Sequence, residues 1–417
     1  MVSFELRHKK TTMSKSTFFT GQPIFSQLLN LIPRHIINAS VREYSSDRYY
    51  KKFKSYDHLV TMLYTNFQKC TSLREVVTGL MACHYKLGHL GLKCVPRRST
   101  LSEANTNRSP EFFQMVYERL YFTYYQFSPD SEIRGSIENR LFLIDSTTIS
   151  LFSDIMKGMG GYPVSGKKKG GAKCHMLVKA TDDVPAFTMI THASKNDKEI
   201  FKHISLPKGA IVVFDKGYNS YEQFEHLNKQ SVTWVTRMSH VAYQELVEQL
   251  PVSEQELASG VIADDKVLLG RPSNTKTKRI AVRRITYYDR LTKKKFVFIT
   301  NHKKYKASGI ASIYKRRWQI ELLFKRLKQS YPLKHFLGES ENAIKVQIWC
   351  ALITDLLLSI VKKQLKRQWS FANISGMVRL HLMNYLNLNL FLENPEKALI
   401  HYEETLSQQQ TDLFSSA

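Results

Sequence analysis

Cysteine is scarce and unorganised in this sequence. The 417 residues hold five, at 70, 83, 94, 174 and 350. No CxxC pair occurs, so neither a disulfide framework nor a thiolate zinc site is supported. Long apolar runs are missing too. The longest, over 346–361, is interrupted by Gln347 and Asp355, which argues against a membrane span. The opening MVSFELRHKK lacks an apolar core, and no secretory leader is expected. Neither an internal repeat nor a low-complexity block stands out. Acidic residues are few: 36 Asp and Glu stand against 61 Lys and Arg, a formal net charge of +25. A compact chain with that excess repels itself unless an anion offsets it. A nucleic acid backbone is the usual partner, and an anionic membrane surface is the other. The expectation is a cytoplasmic, anion-seeking protein. A hydrophobic share of 43% with 12% aromatics excludes wholesale disorder. At about 100–200 residues per domain, the length suggests two or three domains.

The basic excess is concentrated early. Residues 1–100 hold 16 Lys and Arg against five Asp and Glu. Apolar spacing there predicts helices over 25–37, 56–70 and 73–87, and Ser72 with Glu75 three residues on is a capping-box pattern. After Pro96, Ser99 or Thr100 is expected to cap a further helix whose early face carries Ser102, Asn105 and Asn107. Small polar residues at such a helix start suit entry into a DNA groove; an ordinary surface helix is the alternative. Near 129–135 the character changes. Short apolar segments at 141–144, 174–180, 186–193, 209–214 and 231–236 read as strands. A basic β-prone tract over 263–300 reads as two hairpin strands, RIAVRRITYY and KKKFVFIT. From Tyr305 to about Leu392 the period is helical, and the tail after Asn394 is polar. The fold class is α/β, a mixed sheet with helices.

Two of the strands end alike, LFLID at Asp145 and VVFD at Asp215. That puts both acids at the C-terminal edge of a sheet, where open α/β folds bind ligands. Carboxylate oxygens there suit Mg²⁺, and two ions about 3.5–4 Å apart clamp the attacking and leaving oxygens of a phosphodiester. Each Asp alone is more often a cap or turn former. Gly217 is expected to need a positive φ, and Tyr218 to pack on the sheet rim. A third element carries the decision. IYKRRWQIELLFKRLKQ reads as one helix, on which Tyr314, Arg317, Glu321 and Lys328 fall at i, i+3, i+7 and i+14 and project to nearly one side. A solvated helix with i,i+4 ion pairs accounts for the charges, but not for Tyr314 and Trp318 among them.

These three blocks, in this order, resemble the DDE transposases of bacterial insertion sequences. The branch is the one marked by a Tyr-(2)-Arg-(3)-Glu-(6)-Lys signature (insertion-sequence family four). Asp-Ser-Thr at 145–147 and Asp-Lys-Gly-Tyr at 215–218 match the other two blocks, and LKHFLGESENAIKVQIW also looks familial. The resemblance covers about 135–360.

It implies an RNase H-like mixed-sheet catalytic core at 135–345 with a β-rich insertion at about 238–300. A helical DNA-binding domain at 1–134 precedes the core, and a C-terminal helical region and tail at 346–417 follow it. Asp145, Asp215 and Glu321 would be catalytic and hold two Mg²⁺ ions, with Mn²⁺ as a substitute. The implied activity is metal-dependent cleavage of transposon-end DNA and transfer of the freed 3′-OH into target DNA. The implied partners are double-stranded DNA (terminal inverted repeats and target) and a second copy in a homodimeric end complex, in the bacterial cytoplasm at the nucleoid. Tyr314, Arg317 and Lys328 would grip phosphates, with Lys325 beside them, and Arg237 matches a basic residue that family members aim at DNA. Trp318 and Phe296 are candidates to stack a flipped base if hairpin ends form. The loop Lys167, Lys168 and Lys169, set among glycines, is placed for a phosphate contact. His175 and Asp197 are candidate extra ligands, with packing or capping the ordinary alternative, and Trp234 is expected in the core. Two other readings stand beside this one: a nuclease with the same core but no strand transfer, and a silent DNA-binding repressor, which gains nothing from three acids beside phosphates.

Overall fold

The structure, a computed structural model, describes residues 21–125, 135–150, 171–272 and 279–397; the Lys167–Lys169 loop lies outside them. Its centre is one nine-stranded mixed sheet in the order β3-β2-β1-β4-β5-β9-β8-β7-β6. Strands β1 (Leu141–Ser150), β2 (Gly171–Lys179) and β3 (Pro185–His192) form an antiparallel meander. β4 (Ile211–Phe214) runs parallel to β1, and β5 (Thr233–Arg237) parallel to β4. Three antiparallel strands followed by two parallel ones fit the RNase H-like core that the resemblance implies.

Both faces of this half are covered, which is why β4 reads as an unbroken apolar run. Side chains alternate across it with period two. Leu141, Leu143, Ile211, Val213 and Val235 join the larger core, while Phe142, Ile144, Val212, Phe214 and Trp234 join the smaller. Over the smaller core lies helix Tyr221–Lys229, whose Phe224 stacks on the fully buried Trp234 with ring centres 4.1 Å apart.

The region between Arg237 and Ala307 contributes more strands than the two expected in its basic tract. β6 (Gln244–Leu250) and β7 (Val261–Leu269) precede β8 (Ile280–Asp289) and β9 (Lys294–Thr300), all antiparallel. β9 pairs with β5, so these four strands extend the same sheet. The two unread strands hide for physical reasons. β7 carries Asp264 and Asp265 at its middle, buried and neutralised across the ladder by Arg283 and Arg284, each at 2.6 Å. β6 is an exposed edge with little apolar alternation.

In the amino-terminal region the expected helix at 25–37 is two helices, Ile24–Asn30 and Arg34–Tyr44. Pro33 separates them, having no N–H to donate and disfavouring helix in the residue before it. Ser55–Gln68 and Leu73–Ala82 follow, then a 3₁₀ turn at His84–Leu90. Ser72 Oγ accepts from the Glu75 amide, as its pattern requires, but the Glu75 carboxylate returns to Thr71. Helix Arg98–Asn107 starts after Arg97, so neither Ser99 nor Thr100 caps it. Asn105 is 1% exposed and accepts from His58 Nε2 at 2.7 Å, so it cannot read a groove. Helix Glu341–Gln364 is long and apolar enough to cross a membrane, yet 94% of its apolar window is buried inside the protein. Its two polar interruptions are satisfied there: Gln347 donates to the carbonyls of Pro332 and His335, and Asp355 accepts from Arg326 and Tyr331.

Candidate active site

The parallel register of β1 and β4 runs through Ile144 opposite Phe214, so the next residues, Asp145 and Asp215, emerge side by side. Asp215 directly follows β4, as the sequence suggests, and opens the 3₁₀ turn Lys216–Tyr218. Asp145 is not at a strand end. β1 continues past it to Ser150, because β2 keeps pairing with it where β4 has stopped. Gly217 has no positive φ and a Cβ there would meet nothing, so no conformational need explains it. Tyr218 is 2% exposed and packs edge-on against Phe201 and Phe214, as expected of a rim residue.

The signature segment is not one uninterrupted α-helix. Helix Ala307–Lys315 ends and helix Trp318–Ser330 begins across Arg316 and Arg317. There the backbone tightens to i→i+3 bonds, from the Arg316 amide to Ile313 and from the Arg317 amide to Tyr314. Arg317 therefore stands at the joint, over the sheet edge. It donates from Nη1 to Asp145 Oδ2 at 2.8 Å and from Nη2 to Glu321 Oε1 at 2.5 Å. Asp215 has its own partners: Oδ1 accepts from Arg237 Nη2 at 2.6 Å and from the Tyr314 hydroxyl at 3.1 Å.

The two aspartates are tuned in opposite directions. Burial pushes Asp145 up to about 6, with Arg317 and the Ser146 amide pulling back and the neighbouring acids adding to the rise. Burial also raises Asp215, but the hydrogen bond and charge of Arg237 outweigh it and hold that carboxyl below its usual value. Tyr314 is raised to about 12 by burial, so at neutral pH it serves only as a neutral donor.

With this geometry in view, the comparisons are decisive. The Transposase DDE domain family matches residues 137–356, over half of the sequence. The chain belongs to the DDE transposase family. A Sinorhizobium fredii protein named as the transposase y4zB is 30% identical over 268 residues, covering 64% of this chain and 72% of that protein. A Synechocystis protein named as a transposase for insertion sequence element IS4SA is 24% identical over 275 residues, covering 63% and 71%. A domain of unknown function (DUF4372) matches residues 20–93. The solved synaptic complex of piggyBac transposase with hairpin DNA superposes with a TM-score of 0.42 at 11% identity, covering 88% of this chain and 78% of that one. Domains of the DDE family use divalent metal ions.

The donor chemistry of this transposase suits such an ion: three carboxylates, all hard oxygen, beside one sheet edge. Among the described residues no three acid, His or Cys groups form a metal cage. Guanidinium groups now hold the acids, so the cationic character of the position is met by the protein's own side chains.

A second ring of residues supports Asp145, and it includes Asp197 and His175, which the sequence offered as extra ligands or as packing and capping residues. Ser146 Oγ donates to Asp197 Oδ1 at 2.6 Å, and the Ser146 amide donates to Asp145 Oδ1. Asp197 is held in turn by Lys173 at 3.2 Å, with His175 Nδ1 at 3.7 Å. His175 is fully buried, its Nε2 beside Thr191, and burial lowers it to about 4, so it is neutral.

The other expected residues spread outward. Lys325 and Trp318 are exposed, Trp318 by 61%. Lys328 is half-buried and lines a small cavity with Thr147, Cys174 and Phe324, where burial lowers its pKa. Phe296 lies parallel to Phe298 with ring centres 6.0 Å apart, and Phe298 in turn packs on Tyr314 at 4.9 Å.

Proposed function

We propose that this transposase cuts DNA at the ends of its insertion sequence and joins the freed 3′-OH to target DNA, with Asp145, Asp215 and Glu321 as its catalytic carboxylates. The observation that carries the reading is the bridge from Arg317 to both Asp145 and Glu321, with Asp215 emerging beside Asp145. Two acids from distant segments are thereby tied together on a strongly basic chain, and the third follows the neighbouring strand. Two divalent cations, Mg²⁺ or Mn²⁺ in its place, would be held by these three residues and supply Lewis-acid polarisation and an activated water.

The chain's own side chains do the rest. Tyr314 fixes the orientation of Asp215. Arg317 and Arg237, once the carboxylates have other partners, turn their guanidiniums to the phosphate oxygens, where negative charge grows during in-line displacement. Lys325 and Lys328, further along the same helix, would contact the DNA backbone, and the exposed Trp318 ring would offer a face to an unstacked base. The site works on duplex ends brought together by two copies of the chain, in the bacterial cytoplasm.

A test uses the full chain with a duplex carrying the element's terminal repeat, a target plasmid and Mg²⁺. Joint molecules between end and plasmid are expected. Cleaved ends without joint molecules would favour a nuclease, and binding without cleavage would favour a repressor.

A further inference from the structure

The segment joining helices Arg34–Tyr44 and Ser55–Gln68 holds charge the fold does not use. Arg48, Lys51 and Lys52 are exposed, and among the described residues none of them pairs with an acid. Between them Tyr49 is 86% exposed at φ +70°, a left-handed backbone that costs an aromatic residue roughly 1–3 kcal/mol. Its ring lies 5.0 Å from the Arg48 guanidinium. An exposed ring that stabilises no core is an odd residue to hold in a strained conformation.

The loop is nevertheless firmly built. Arg108, only 1% exposed, donates to the carbonyls of Lys54 at 3.0 Å and Phe53 at 2.7 Å and stacks on Tyr50 at 4.4 Å. Asp47 accepts from the Ser55 amide at 2.6 Å, and the Ser46 and Ser55 hydroxyls lie 2.7 Å apart. Burying a guanidinium whose hydrogen bonds go to backbone carbonyls is costly, and here the result is one fixed shape for a surface loop.

We propose that loop 47–54 is a duplex-DNA contact of the amino-terminal helices, with Arg48, Lys51 and Lys52 on backbone phosphates and the Tyr49 ring in the groove between them. A rigid loop pays little ordering entropy on binding, and cations flanking an apolar wedge match a phosphate-lined groove. The proposal deepens the transposase reading and rests on it. It also gives a role to the region that matches a domain of unknown function, and moves the contact away from helix Arg98–Asn107.

The experiment measures binding of the full chain to terminal-repeat duplex and to random duplex across a salt series. Wild type is compared with Tyr49→Ala and with the double variant Lys51→Ala/Lys52→Ala, after all three are shown to melt alike. For the double variant, the slope of log K against log salt should fall by about 2, and affinity near 0.1 M salt by roughly tenfold or more on both duplexes. Tyr49→Ala should lose about fivefold or more with its slope unchanged. A double variant with wild-type slope and affinity overturns the proposal and leaves the transposase reading standing. A wild-type chain that binds neither duplex overturns both.

Discussion

Arg317 donates to Asp145 at 2.8 Å and to Glu321 at 2.5 Å, so one guanidinium ties the first strand to the signature helix. Its removal leaves two partly buried acids facing each other. In metal-free buffer Arg317→Ala should destabilise the chain by about 1–3 kcal/mol. Millimolar Mg²⁺ should then raise the melting temperature of the variant more than that of wild type, where the guanidinium competes for the same oxygens. Equal Mg²⁺-induced shifts in the two proteins would contradict this competition.

Asp145 gives a pH signature. Burial pushes its carboxyl up to about 6 in the folded chain, above the ordinary 3.8 of an exposed aspartate. The folded state thus holds that proton more tightly, and this contribution to stability is present below about 4 and lost as pH rises through about 6. Asp145→Asn removes the dependence. The variant should match wild type near pH 4 and exceed it by up to about 3 kcal/mol near pH 8, in metal-free denaturant melts. A difference that stays constant with pH would contradict the assignment.

The parallel core strands and the acids were legible in the sequence, because a strand buried on both faces must be apolar and an Asp that interrupts such a run stands out, although only Asp215 ends its strand. The signature spacing placed Tyr314, Arg317 and Glu321 together despite the 3₁₀ joint at Arg316–Arg317. Projection along a straight helix could not show that Arg317 would turn inward to the acids, since that depends on partners from β1. Arg237 was read as aimed at DNA, and in the free chain it pairs with Asp215 for the same reason. β7 escaped because cross-strand Arg–Asp pairs let acids sit inside a sheet. Asn105 misled because its partner, His58, is far away in sequence.

Asp197 acts through Ser146 rather than on substrate. Asp197→Ala should raise the Mg²⁺ concentration for half-maximal cleavage by roughly tenfold or more, the usual cost of losing a group that orients a ligand. Asp197→Asn keeps an acceptor for Ser146 and should recover much of that shift. Identical metal dependence in both variants and wild type would make Asp197 a packing residue.

The two aromatic candidates separate by burial. Trp318 is 61% exposed, so Trp318→Ala should leave stability unchanged and, if hairpin ends form, should spare first-strand nicking while impairing the hairpin step. Phe296→Ala removes a ring parallel to Phe298 and should lower stability by about 1–3 kcal/mol. Melts and denaturing gels of end-DNA reactions read both effects. Loss of nicking and hairpin products together in Trp318→Ala would mark that ring as structural.

The most direct test of the account replaces Asp145, Asp215 and Glu321 one at a time by Ala and measures terminal-repeat cleavage and binding side by side in Mg²⁺. Each change removes a carboxylate without touching the exposed basic surface that dominates DNA affinity. The expected result is cleavage lost in all three variants with binding within a few-fold of wild type. Cleavage near the wild-type rate in any one of them would contradict that residue's place in the site.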